Sequence, residues 1–128
     1  MESNQQKSLY ERLGGASGIS AIVDDAIDAH MNNPAINARF LPVKEDPKHF
    51  KEVRNHLFTF LASGSGGPEK YTGKDMPEAH KGMNISQGEY MHVIDDIMST
   101  LDKHNIDDAT KKDVLFIAYS IKDTMVGM

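Results

Sequence analysis

The sequence predicts an all-α fold, and three observations carry that prediction. Apolar residues recur at helical spacing in long stretches, cap and stop signals bound those stretches, and no segment alternates convincingly at period two. With 128 residues, 39% of them hydrophobic, the chain can bury one core. One domain over residues 1–128 is therefore expected, opening on a polar extension at residues 1–8.

The first long helix is expected over residues 18–32. Ile19, Ile22, Val23, Ala26, Ile27, His30 and Met31 fall at the i, i+3, i+4, i+7 spacing that stacks side chains on one helix face, and Asn32-Asn33-Pro34 stops the run. Asp46-Pro47 opens the second. An aspartate accepts from the unpaired N–H groups of a first turn, and proline lacks the N–H that would go unpaired there. Its apolar positions Phe50, Val53, Leu57, Phe60 and Leu61 lead to the glycine-rich loop ASGSGG at residues 62–67. Both helices are expected to bury one face.

Ser86 followed by Glu89 has the form of a capping box and launches a third helix through Tyr90, Val93, Ile94, Ile97 and Leu101. Asp95, Asp96 and Asp102 fall on its solvent side. Asp107 or Asp108 can cap the last helix, with Val114, Leu115, Ile117, Ala118, Ile121 and Met125 as core positions.

Composition excludes several function classes. Against 19 Asp+Glu the chain has 14 Lys+Arg, giving a formal charge of -5. The basic residues form no run that could track a phosphate backbone, so no nucleic-acid partner is expected. With no cysteine there is no disulfide, thiolate metal site, iron–sulfur cluster or cysteine nucleophile. The longest apolar run, residues 114–119, is too short to span a bilayer, and residues 1–7 lack the apolar core of a signal peptide. The expectation is a cytoplasmic monomer that does not insert in a membrane.

Residues 62–85, between the second and third long helices, hold two Pro and five Gly. An irregular segment of this length in a compact domain is usually functional or built around something, which invites a bound group. A phosphate loop does not fit it. GxxxxGK followed by Ser or Thr would need Gly where Pro68 stands and a hydroxyl where Asp75 follows Lys74. The eight Met residues suit a bound apolar group weakly, core filling being the commoner reason for methionine.

Six histidines remain as candidates for metal or acid–base work: His30, His49, His56, His80, His92 and His104. Glu89 and His92 form an ExxH, but a di-iron bundle needs a second one and none exists. The capping box explains Glu89, a solvated face explains His92, and His104 near a helix C-terminus complements the helix dipole. His80 stands apart. It lies in a short helix-like turn inside the irregular segment, with Met76, Met83 and Ile85 around it.

The stretch GGPEKYTGKDMPEAHKGMNIS around His80 resembles the group I truncated haemoglobins, and the resemblance runs along nearly the whole chain. LYERLGG at residues 9–15 is similar to that family's opening LYxxLGG. Asn33-Pro34 with Phe40 is similar to its DP…FF, and Gly66-Gly67-Pro68, Tyr71-Thr72-Gly73 and Met76 with Ala79-His80 are similar to GGPxxYxG and MxxxH. The resemblance implies a two-over-two helical sandwich around haem b with His80 as proximal iron ligand. It further implies that Phe40 stacks on the haem, that Tyr71 reaches a propionate, and that Met76, Ile85 and Val93 form the proximal wall.

Where this sequence departs from the family, it loses polar groups. Oxygen-binding members usually carry Phe-Tyr in the B helix, the tyrosine donating to bound oxygen; Ala26-Ile27 stand there here. Val53 and Leu57 occupy E-helix positions that often supply Gln or another polar partner. His56 matches a position where some cyanobacterial relatives carry a histidine that binds the iron, while His30 and His49 lie at the edges of the same region. Neutral imidazole is a natural iron ligand, and an apolar slot between the first helix and the Val53/Leu57 stripe can exclude water around a flat cofactor.

The expected function is reversible binding of O2, NO or CO at haem iron beside an apolar distal pocket, for scavenging, sensing, or oxygen transport and delivery. One alternative is a haem enzyme with nitric-oxide dioxygenase or peroxidase-like turnover, which would need an external reductase. The other is a six-coordinate electron-transfer or haem-carrier protein in which His56 closes the sixth site.

Overall fold

Among the described residues seven α-helices follow one another: α1 (Leu9–Arg12), α2 (Gly15–Met31), α3 (Asn37–Lys44), α4 (Pro47–Gly64), α5 (Met76–His80), α6 (Gln87–Lys103) and α7 (Asp108–Ser120), then a 3-10 turn (Lys122–Thr124). This computed structural model describes residues 7–127, so residues 1–6 of the anticipated polar extension lie outside the described residues. Ser8, placed in that extension, instead caps α1: it accepts from the Glu11 N–H at 3.1 Å, and Glu11 accepts from the Ser8 N–H at 3.3 Å.

The cap signals read from the sequence operate as their chemistry requires. Asp46 accepts from the N–H groups of Lys48 and His49 at 3.1 and 3.2 Å, with Pro47 in the first turn of α4. Ser86 and Glu89 form the reciprocal box at the start of α6. Asp107, not Asp108, caps α7 by accepting from the Thr110 N–H at 3.2 Å. Each cap satisfies donors that would otherwise lose a partner on folding, worth about 1 kcal/mol apiece.

α2 begins three residues earlier than its apolar period predicts. Gly14, at φ 99°, takes a left-handed conformation that turns the chain directly from α1 into α2. Neither α1 nor α3 has an apolar period long enough to announce it. α3 also carries Pro42 inside the helix and has no side-chain cap.

α2 lies at the centre, packed against α1, α3, α4 and α6, while α6 pairs with α7. The α2/α4 pair thus rests on the α6/α7 pair through the α2–α6 contact, the two-over-two arrangement expected. Leu13, Ile19, Ile22, Val23, Ile27, Ala62, Leu101 and Val114 form the buried cluster. Each Leu or Ile in it contributes about 1.5–3 kcal/mol by leaving water.

Four expectations are corrected. α7 ends at Ser120, so Met125 lies beyond a 3-10 turn and the last-helix core reduces to buried Val114, with Leu115, Ile117, Ala118 and Ile121 half-buried. The reason is a tether: Gly127 donates to the Ile85 carbonyl at 2.8 Å, drawing the C-terminal segment onto the loop before α6. Asp96 is not on a solvent face, because His30 and Asn33 of the α2 end bond its carboxylate. α4 buries its apolar face only in part, since Ala62 is enclosed and Phe50 and Leu61 pack on the core but Leu57 is 41% exposed. Finally, the irregular segment is shorter than residues 62–85, because α4 continues to Gly64 and α5 occupies Met76–His80.

The loop after α4 is pinned to α1. Tyr10 donates its backbone N–H to the Ser65 carbonyl at 2.8 Å and its hydroxyl to Glu69 at 3.0 Å. A Cβ on Gly67 would stand 2.3 Å from the Tyr10 ring, so only glycine lets the loop close on it. The LYERLGG and GGP motifs are two halves of one contact.

Candidate functional site

α5 carries His80 as its last residue. Asp75 caps it by accepting from the Glu78 N–H at 2.9 Å, Pro77 sits in its first turn, and Lys81 leaves helical geometry at ψ 128°. His80 Nδ1 lies 2.8 Å from the Met76 carbonyl oxygen. A carbonyl only accepts, so Nδ1 carries the ring proton and Nε2 carries the lone pair. The half-buried imidazole is thereby held in the tautomer that can ligate a metal through Nε2.

Met76, Ile85 and Val93 are half-buried, and Met83 is exposed. On α4, Val53 is half-buried, while His56 and Leu57 are exposed. His49 is exposed in the first turn of that helix. Ile27 belongs to the buried cluster on α2.

Four of the anticipated aromatic and imidazole groups fall into two separate contacts. Tyr71 stands edge-on to Phe60 at 5.3 Å and to His56 at 5.9 Å, and its hydroxyl donates to the Lys74 carbonyl. Burial, then the nearby Asp75 carboxylate, raises the Tyr71 phenol above its ordinary range. Phe40, on α3, stacks instead on His30 at 5.0 Å between ring centroids.

His30 is buried, as its place on the apolar face of α2 implies, with Nδ1 2.8 Å from Asp96. Asn33 donates to both oxygens of that carboxylate at 3.2 Å. The signal was present in the apolar period of α2, since a histidine on a core face needs a polar partner. Arg39 ties the same region to α6 through a bidentate pair with Glu89. The Arg39 hydrogen bonds, then that from the Ser86 backbone, hold the Glu89 carboxyl down at about 2. His92 is exposed, as expected, while His104 does more than face a helix dipole, since its Nε2 lies 2.7 Å from Asp25.

No group of three His, Asp or Glu among the described residues is placed to hold a bare metal ion. A single prepared imidazole suits a metal that arrives with its other donors already attached. The helices that carry Phe40 and His56 also expose Leu41 at 43% and Leu57 at 41%, and the loop just after α5 exposes Met83 at 37%. Apolar side chains left open there fit a flat apolar group that covers them.

A helical sandwich with α2 at its centre and one imidazole poised on a short helix before α6 is of the globin type. The chain belongs to the bacterial-like globin family, whose profile matches residues 8–126. It is similar to the group 1 truncated hemoglobin of Tetrahymena pyriformis, at 27% identity over 124 residues, covering 97% of this chain and 98% of the relative. It is also similar to the group 1 truncated hemoglobin GlbN of Nostoc commune, at 34% identity over 80 residues, covering 62% of this chain and 64% of that one. The crystal structure of the Tetrahymena pyriformis truncated hemoglobin in its Fe(III) form matches with a TM-score of 0.86 at 25% identity, over 95% of this chain and 100% of that chain. The protein is a haem globin of truncated type. No helix among the described residues is long and apolar enough to cross a membrane.

Proposed function

We propose that this globin holds haem b through His80 and reversibly binds small diatomic ligands. The observation that carries the reading is the 2.8 Å bond from His80 Nδ1 to the Met76 carbonyl, which fixes the lone pair on Nε2. When bound, the haem supplies an iron with a position open to a gas ligand. The chain does the rest. Met76, Ile85 and Val93 would wall the His80 side, and Phe40, stacked on His30, would pack on the macrocycle. Tyr71 closes the loop edge and reaches a propionate once its hydroxyl leaves Lys74.

On the ligand side the chain offers Ile27, Val53 and Leu57, none of which has a donor. Those side chains exclude water and select by size and polarity rather than by hydrogen bonding. His56, exposed and resting against Tyr71, stays off the iron in this reading. Absorption spectra of the purified protein, oxidised, reduced and then exposed to carbon monoxide, test it. A high-spin resting spectrum that converts to a carbonyl spectrum supports the reading. A low-spin spectrum that His56→Ala makes high-spin favours the six-coordinate alternative.

A further inference from the structure

One buried polar cluster has no part in the function proposed above. His30 is 6% exposed on α2, and its Nδ1 lies 2.8 Å from the Asp96 carboxylate of α6. Asn33 donates to both oxygens of that carboxylate at 3.2 Å, so Asp96 stands there as an acceptor with its lone pairs engaged. Nδ1 therefore donates its proton to Asp96, which fixes the imidazole in tautomer and in direction. An apolar side chain would pack on this core face with no partner at all, so core filling does not explain the cluster.

What the fixed ring touches is Phe40. The two rings stack with centroids 5.0 Å apart and planes 30° from parallel. α3 itself does little to hold Phe40. None of its residues is buried, its first turn has no side-chain cap, and Pro42 removes one of its backbone donors. The neighbouring Arg39 is bonded twice to Glu89, about two helical turns before Asp96 on α6. α6 thus steadies α3 at two points, Arg39 by a direct ion pair and Phe40 through the His30 ring. Phe40 is only half-buried with His30 against it, so part of its ring is left for another group.

We propose, resting on the placement of Phe40 against haem given above, that His30 is a positioning residue for the cofactor: Asp96 fixes its ring, and the ring backs Phe40 in the pose that meets the macrocycle. His30 touches no haem atom in this role. It restricts the Phe40 rotamer before haem arrives, an ordering cost that binding then does not bear.

The test is the rate of haem loss from the full-length, haem-loaded protein to excess apomyoglobin, measured through a double-mutant cycle of His30 and Phe40. His30→Asn keeps a donor for Asp96 and removes the ring. It should lose haem about 2- to 10-fold faster than wild type, the worth of an ordinary aromatic pair. In a Phe40→Leu background the same substitution should leave haem loss nearly unchanged, because the ring it backs is gone. His30→Phe keeps a ring without the donor, so it should hold haem better than His30→Asn while melting lower, a split that a merely structural role would not produce. His30→Gln, a second ringless side chain able to reach Asp96, repeats the cycle if His30→Asn melts below the assay temperature. Equal acceleration by the ringless variant in both backgrounds would overturn the proposal, since His30 would then act through the fold at large. Haem loss that responds to Phe40→Leu but to neither ringless variant would overturn it alone. Haem loss indifferent to Phe40→Leu would overturn the placement of Phe40 and the proposal with it.

Discussion

Ile27→Tyr tests the proposed apolar ligand side most informatively, because it adds one donor where Ile27, Val53 and Leu57 offer none. Ile27 is 5% exposed and belongs to the central buried cluster. The added ring must therefore displace packed neighbours, at about 1–3 kcal/mol of stability. Its hydroxyl, if it reaches the ligand, adds a hydrogen bond worth about 0.5–3 kcal/mol, the upper end applying when the acceptor carries charge. At about 1.4 kcal/mol per tenfold, oxygen release should slow by roughly 2- to 100-fold. Carbon monoxide, the less polarised ligand, should change far less. Ile27→Phe supplies the ring without the hydroxyl and isolates the steric part. The assay is a pair of stopped-flow dissociation rates, oxygen and carbon monoxide, for wild type and both variants. Slow wild-type oxygen release that Ile27→Tyr leaves unchanged would refute the reasoning, because another donor would then already face the ligand. Equal slowing by Phe and Tyr would refute it too, since bulk alone would account for the effect.

Three further outcomes follow from the geometry. His56→Ala should leave the oxidised absorption spectrum unchanged, because the ring rests on Tyr71 at 5.9 Å and is exposed; conversion from low to high spin would contradict this. Glu89 titrates at about 2 in the folded chain against an ordinary 4.5, so its pair with Arg39 stabilises the fold above about 4.5 and loses that contribution as pH falls through about 2. Glu89→Gln should accordingly be less stable than wild type at neutral pH, with the gap closing in acid, as denaturant midpoints across that range would show. Gly67→Ala should cost about 1–3 kcal/mol, because its Cβ would meet the Tyr10 ring at 2.3 Å. Gly64→Ala, with nothing within 4 Å of the new methyl, should instead gain about 0.4–1 kcal/mol, and thermal melts of the two variants check the contrast.

What the sequence made legible was local. Asp46-Pro47, the Ser86/Glu89 box and the Asn32 stop are chemical signals confined to one turn, and each sits where it was read. α1 and α3 were hidden because four and eight residues hold too little periodicity to read. The site was legible as residue types but not as contacts. The partner of His30 lies 66 positions away on α6, and that of Tyr10 lies 59 away on the loop. Such pairings arise from packing α2 on α6 and α1 on the loop, which no window of sequence displays. The exposure of Leu57 was invisible for a related reason: an apolar helix face reads the same whether another helix or a cofactor covers it.

The central claim, that the chain is built around an imidazole prepared to hold haem, is tested most directly by titrating apoprotein with haem and recording the absorption spectrum. Wild type and His80→Gly are compared, the variant with and without free imidazole. The account predicts one haem per wild-type chain, loss of stable binding in His80→Gly, and recovery of the wild-type spectrum when imidazole fills the vacated ligand position. A His80→Gly protein that binds haem with an unchanged spectrum and no imidazole would contradict it.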